Sequence, residues 1–425
     1  MQIKHKINDM ISSKYLIPFI FTFITVSALL IVRSMLFYYE SGDYLHFVKL
    51  WVEEYRTMTF TEGLRTKVGT YNPPYMYILN IISRFNISDL ILIKIVSVFF
   101  DILLANFVMR IVSLKTESLN MHILALLLTL GAPTVILNGS MWGQCDSIYA
   151  AFAIGSFYFG MRGKSKLTYA FMALAISFKL QAVFLLPILP VFVFMKKITF
   201  KDCYMFFAVY FVTLLPALIA GMPVNDLLFA YIEQATYYTR LNQNMVNLWR
   251  FVGNVNAEHF TTAGLYMTGT VVLGLMYFIY VNKARFINTV DYIRLAYLFA
   301  VIMPFLLPKM HDRYYFIADV TAITVFLFDK RRWYVPVVTI LCSYISYAFF
   351  IMFGLELLDY RIAALALLVV IIIVLKDFVT SLYAPEIPEN AAIPDNTEIS
   401  EVTVDENPNL PTNMISPINP HDSDK

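Results

Sequence analysis

The stretch YLIPFIFTFITVSALLIVRSMLFYY fills residues 15–39, and Arg33 is its only charge. A helix needs about 20 apolar residues to cross the hydrocarbon of a bilayer. This run is long enough. It also exceeds the roughly 7–15 apolar residues of a cleaved signal peptide, so it reads as a retained first span. The next segment, ESGDYLHF at 40–47, sets a lone aspartate, Asp43, at the membrane boundary.

The pattern recurs outward from there. Of 425 residues, 59% are hydrophobic and 15% charged, against about 25% charged in a soluble domain. Further apolar runs lie near 88–114, 120–137, 146–161, 167–182, 184–195, 203–221, 262–281, 291–307, 312–328, 333–352 and 359–378. The expected fold is all-α: a polytopic bundle of about twelve spans, with interfacial helices in the first outer loop. The short pieces within 146–195 also read as re-entrant. Three scattered cysteines give neither a disulfide framework nor a metal site, and no nucleic-acid partner is expected.

From Ser381 onward the chain carries nine acids and one lysine, leaving 31 basic and 21 acidic residues before it. This Pro-rich tail, 381–425, buries too little apolar area to order itself and reads as a disordered cytoplasmic appendage to a membrane domain over 1–380. With the N-terminus inside, every inner loop is basic, as lysine and arginine bias requires: Lys4, Lys6 and Lys14; Arg110 and Lys115; Arg162, Lys164 and Lys166; Lys196, Lys197 and Lys201; Lys283, Arg285 and Arg294; Lys330, Arg331 and Arg332. Both termini then fall inside. The long loops 39–87 and 222–261 fall outside, together with YNPPY (71–75), NGSMWGQCDS (138–147), NLW (247–249) and PKMHDRYYF (308–316). Polar and aromatic sequence gathers on one face, which suits an external active site.

Each candidate has a bland reading beside the sharp one. Tyr44, Phe47, Val48, Trp51, Val52 and Tyr55 recur at helical spacing, so 44–55 reads as an amphipathic interfacial helix. Asp43 would be its N-cap or a base held in place. Trp142 would stack on a sugar or anchor at the interface. Asn138, Gln144 and Asp146 offer hydroxyl partners, or a polar turn in which Asp146 or Ser147 caps a helix. Asn138 also opens a glycosylation sequon. Lys179 and Gln181 face a cavity, or Lys179 snorkels. Lys309, His311, Asp312 and Arg313 suit a lipid phosphate, or are ordinary loop charge with an Asp–Arg pair. Lys94 and Asp101, seven apart on one helix face, read as a structural pair. No P-loop, dinucleotide fingerprint, nucleophile elbow, HExxH or CxxC is present, and Asp-x-Asp occurs only at 422–424.

SGDYLHF, YNPPYMYIL, NGSMWGQCDSIYAAF, SFKLQAVFLLP and KMHDRYYF, in this order, resemble the C-type membrane glycosyltransferases. The resemblance spans roughly residues 10–350. It is nearest to bacterial relatives of the mannosyltransferase that adds the second mannose of the GPI anchor. It implies an external site in the plasma membrane and a polyprenyl-phosphate-hexose donor, mannose-like. It implies a catalytic acid in the first outer loop, at Asp43. The sugar and acceptor would meet Tyr71, Asn72, Trp142, Gln144, Asp146, Lys179, Gln181, Asn247 and Trp249. Lys309, His311 and Arg313 would meet the donor phosphate, with Asp312 where the family more often has Glu. Glu40, Glu53 and Glu54 share the loop and leave the base assignment open.

The residues fit that chemistry. One carboxylate suffices as general base for an acceptor hydroxyl. A phosphate leaving group needs charge stabilisation rather than an acid. A glycosidase would show a carboxylate pair. Single displacement predicts inversion, and no metal or other cofactor is required. The acceptor would be a glycan, glycolipid or protein. The rivals are a flippase or transporter of lipid-linked sugars, which would want deep polar residues and near-symmetric halves, a membrane-embedded polysaccharide ligase, and a non-enzymatic scaffold.

Overall fold

The computed structural model describes residues 16–383, apart from 238, 254–256, 287 and 352–353. The last helix, Tyr360–Tyr383, takes in the first three residues of the expected tail. The rest of that tail, and Lys4, Lys6 and Lys14, lie outside the described residues.

The chain is all-α and polytopic. Among the described residues seven helices are long and apolar enough to cross a bilayer: Leu16–Met35, Asp89–Val112, Phe200–Ala220, Ala257–Val281, Thr289–Leu306, Lys330–Ile351 and Tyr360–Tyr383. An eighth candidate is a bent pair, Leu119–Leu130 and Pro133–Trp142, which meet at 52°. The bend falls where Gly131 caps the first helix and Pro133, with no amide hydrogen to donate, starts the second. The remaining apolar runs are helical but shorter: Asp146–Met161, Ser165–Phe178, Leu180–Phe194 and Phe316–Phe328.

Burial sorts the helices. Asp146–Met161 and Phe316–Phe328 are buried along nearly their whole length and form the centre. Leu16–Met35 buries only Arg33. Its Ile17, Phe19 and Phe23 are exposed, as are Phe207, Ile219, Tyr266 and Leu273 on two other helices. Apolar surface this extensive around the bundle needs a bilayer to cover it.

The charges inside the bundle have specific partners, and the expected Lys94–Asp101 pair is not among them. Arg33 Nη1 donates to Asp101 Oδ2 at 2.7 Å and to Ser140 at 3.1 Å, while Nη2 donates to the Leu130 carbonyl at 2.7 Å. Lys94 Nζ donates to the carbonyls of Leu36, Phe37 and Tyr39 at 3.0, 3.0 and 2.6 Å. These carbonyls follow the end of the first helix, and among the described residues only that of Leu36 also accepts a backbone amide, from Tyr39 at 3.2 Å. One face of Asp89–Val112 therefore anchors the first helix twice.

Two long loops close over the end of the bundle that carries the motifs. The second is tied down by a two-residue parallel ladder, Asn242–Gln243 on Met310–His311.

Candidate functional site

Asp43 is delivered by the end of the first helix. After Tyr39 the chain turns and re-enters helix as a π turn, Tyr44–Val48, continuing as Lys49–Arg56. The expected amphipathic helix is present, with Tyr44, Val48, Val52 and Tyr55 buried. Asp43 is not its cap. Its backbone is already helical, at φ −62° and ψ −39°, and its side chain makes no capping bond. Ser41 does that work, its hydroxyl accepting from the Tyr44 amide at 3.2 Å. The Asp43 carboxylate is left for other partners.

Those partners come mainly from 138–146. A π turn, Leu137–Trp142, ends at Gly143, whose φ of +78° strongly favours glycine. The chain reverses there and sets Trp142 and Gln144 on Asp43. Trp142 Nε1 donates to Asp43 Oδ2 at 3.1 Å, and Gln144 Nε2 to the same oxygen at 2.6 Å. The Asp89–Val112 helix holds this segment too, since Ser97 donates to the Gln144 carbonyl at 2.8 Å. Lys94, Ser97 and Asp101 thus fix both segments that build the Asp43 cluster.

Asp146 opens the central helix without capping it and is 1% exposed. It accepts from Asn138 Nδ2 at 2.8 Å and pairs with Lys179. Lys179 sits in extended backbone where Ser165–Phe178 stops, which turns its side chain inward; at 4% exposure it does not snorkel. Gln181 follows in a 3₁₀ turn and is also buried.

Arg313 joins the two acids. Its Nη1 lies 3.2 Å from Asp43 Oδ2 and 3.7 Å from Asp312, and its Nε lies 3.7 Å from Asp146. The guanidinium also lies over the Trp142 ring, 5.5 Å from its centroid. Burial works against the Arg313 charge, but the surrounding Asp43, Tyr71, Asp146 and Asp312 more than offset it, and its pKa rises. Burial pushes Asp312 up to about 7, although Arg313 pulls the other way. Burial, Arg313 and Lys179 together hold His311 well below the usual imidazole range, so it is neutral at pH 7. The cations facing the cleft are therefore Arg313 and Lys179.

All this borders one cleft of about 190 Å³. Asp43, Tyr71, Gln144, Lys179, Gln181, His311 and Arg313 line it. Five parts of the sequence separated by up to 270 positions meet here. Trp142 and Asp146 stand directly behind as hydrogen-bond partners. Trp142 is 1% exposed, stacked on Phe350 at 4.5 Å and edge-on to Tyr347 at 5.3 Å. It orients Asp43 and offers no face to a sugar.

Four sequence candidates are not at the cleft. Lys309 (φ +62°) uses its amide to bind the Leu241 carbonyl at 2.7 Å, and its side chain does not reach the lining. Asn72 is buried and donates to the Ser177 carbonyl at 2.9 Å. Asn247 caps a short turn by accepting from the Trp249 amide at 3.1 Å, and Trp249 Nε1 donates to the Leu306 carbonyl at 2.9 Å. These last two shape the second loop. Glu40, Glu53 and Glu54 are absent from the lining as well.

The cleft also holds Trp51, Glu233 and Gln234, which no sequence motif marks as site residues, together with Tyr75 and Tyr314, which lie in the quoted motifs but are not among the named candidates. The spacing of Trp51 was legible as an interfacial face. That this face turns toward Asp43 is tertiary information. Among the described residues no group of three or more His, Cys, Asp or Glu side chains could hold a metal ion. Compared with known protein families and with curated proteins, the chain matches no family model and shows no significant match to any curated protein.

Proposed function

We propose that this chain is an inverting glycosyltransferase of the C-type, moving one hexose from a polyprenyl-phosphate donor to an acceptor at the outer face of the plasma membrane. The observation that carries this reading is the state of Asp43. Three donors, from Trp142, Gln144 and Arg313, converge on Oδ2. No hydrogen bond among the described residues takes Oδ1. The side chain lines the cleft at 21% exposure. A carboxylate held through one oxygen and open at the other is suited to take a proton in a fixed direction.

In this reading the acceptor hydroxyl gives its proton to Asp43 Oδ1 as its oxygen attacks the anomeric carbon. The bond to the phosphate oxygen breaks on the opposite face, which inverts the centre. The departing phosphate takes the bonding electron pair and so gains a negative charge, which Arg313 and Lys179 stabilise, with neutral His311 as a hydrogen-bond partner. Lys309 drops out of the donor set. The twelve-span topology with both termini inside belongs to the same proposal, with the shorter helices, including the central Asp146–Met161 and Phe316–Phe328, counted as spans inside protein.

The test offers purified protein a panel of polyprenyl-phosphate hexoses and follows donor consumption and the anomeric configuration of the product. Consumption of one donor with inversion is expected. Movement of labelled lipid across a proteoliposome bilayer without consumption of any donor would make the chain a transporter instead.

A further inference from the structure

Asp43, Phe47 and Trp51 recur at four-residue steps, so they share one face of the helix that opens the first outer loop. That face lines the cleft. At about 1.5 Å of rise per residue, Trp51 stands roughly 12 Å along the axis from Asp43. Phe47 and Trp51 are 6.1 Å apart between ring centroids, and Trp51 meets Tyr71 edge-on at 5.8 Å. A Cβ at Gly69 would lie 2.6 Å from Met76 Cε and 2.9 Å from Trp51 Cδ2, so the loop backbone comes close to the indole only because position 69 is glycine. Glu233 and Gln234 also line the cleft, tied to the loop that carries Gly69. Lys67 pairs with Glu233 at 2.5 Å, and the Gln234 amide donates to the Thr70 carbonyl.

We propose that this stripe seats a saccharide acceptor more than one ring long, whose terminal hydroxyl meets Asp43. A sugar has apolar C–H faces and hydroxyl edges. An aromatic stripe sharing a cleft with a carboxylate and an amide matches both. A lipid acceptor would instead want an apolar trough, and polar groups occupy this wall. Interfacial anchoring explains Trp and Tyr at membrane depth in general, but here Leu50, 52% exposed, faces outward while Trp51 turns into the cleft. The inference rests on the transferase reading for the role of Asp43, yet its binding surface stands apart from turnover.

The experiment titrates the purified full-length protein with tetrasaccharides of mannose, glucose and N-acetylglucosamine and reads binding by calorimetry. A hydroxyl-rich peptide and a diacylglycerol serve as comparison acceptors in the transfer assay. One tetrasaccharide should bind. Trp51→Ala and Phe47→Ala should each weaken it about tenfold or more, and Trp51→Phe should retain most of the affinity. Leu50→Ala should leave it unchanged. In the transfer assay the same alanine variants should raise the acceptor KM and leave the donor KM alone. Binding that survives Trp51→Ala overturns the proposal. So does a wild-type protein that ignores every saccharide while glycosylating the peptide or the lipid, and in that case the transferase reading stands. Saccharide binding that depends on Trp51, with no donor ever consumed, upholds the seat and removes the transferase.

Discussion

Arg313 lies 3.2 Å from Asp43 and 3.7 Å from Asp146, and so links the first long loop to the start of the central helix. Asp146 is closed off by Lys179 and Asn138. Asp43 keeps an open oxygen. Two aspartates sharing one guanidinium therefore have different work: Asp146 sets the cations, and Asp43 faces what enters.

Arg313 is the hub of the charge balance, and lysine cannot replace its fork. Arg313→Lys should raise the donor KM and lower kcat together, by about tenfold or more overall, as expected for loss of a charge-assisted bond of roughly 1.5–3 kcal/mol. Kinetics with saturating acceptor check this. A change confined to the acceptor KM would place Arg313 elsewhere.

Trp142 should act through Asp43. Trp142→Phe keeps the stack on Phe350 and removes only the N–H. Turnover should fall about tenfold, equivalent to roughly 1.4 kcal/mol, with both KM values little changed. A large rise in acceptor KM would instead mean that the indole touches sugar.

Lys94 should be a positioning residue. Its three carbonyl bonds fix the turn that carries Asp43. Lys94→Met should lower kcat by up to about a hundredfold, the scale of a 1 Å misplacement, and leave donor binding intact. The emission of Trp142, read with the other three tryptophans replaced by phenylalanine, should shift in the same variant without any substrate. Unchanged emission and unchanged kcat would make Lys94 a helix cap alone.

Asp312 gives a pH dependence with a definite sign. Below about 7 it is neutral. Asp43 and Asp146 then balance Arg313 and Lys179, while His311 is uncharged. Above about 7 Asp312 ionises, and the cleft gains a negative charge beside an anionic donor. The donor KM should therefore rise as pH increases through 7, and Asp312→Asn should flatten the profile. The same shift bears on stability. The folded pKa exceeds the usual carboxylate value of about 3.9, so the folded state binds the proton more tightly. This group favours folding below pH 4, and that contribution is lost as pH rises toward 7.

Arg33 and Asp101 test the scaffold apart from the chemistry. Removing one partner leaves a buried charge, at a cost of about 3–5 kcal/mol. Arg33→Met should lower the thermal midpoint in detergent well below that of the wild type. Arg33→Met combined with Asp101→Leu should recover much of the loss. A double variant as unstable as the single one would show that Ser140 and the Leu130 carbonyl, rather than Asp101, set the cost.

Much of this was legible in the chain. Apolar runs gave the helices, because a bilayer admits only one hydrophobic pattern of that length. The quoted motifs contain Asp43, Gln144, Lys179 and Arg313, and the structure brings all four to one cleft. Spacing failed where partners come from other helices. Lys94 and Asp101 share a face, yet each reaches a different part of the first helix. Asp43 sits where an N-cap is expected, but Ser41 supplies the cap. Lys309 stands two residues from His311, yet only one of them lines the cleft. Trp142 suits a sugar platform or an interfacial anchor by residue type, but Phe350 and Tyr347 enclose it. Local sequence cannot report such enclosure, because the enclosing residues lie about 200 positions away.

The most direct measurement is donor binding and sugar transfer by Asp43→Asn, compared with wild type on the same polyprenyl-phosphate hexose. The substitution keeps the shape of the side chain and removes its basicity. The account predicts wild-type donor affinity with turnover reduced by about 10²–10⁴, the span of general-base catalysis. Equal turnover in the two proteins would contradict it.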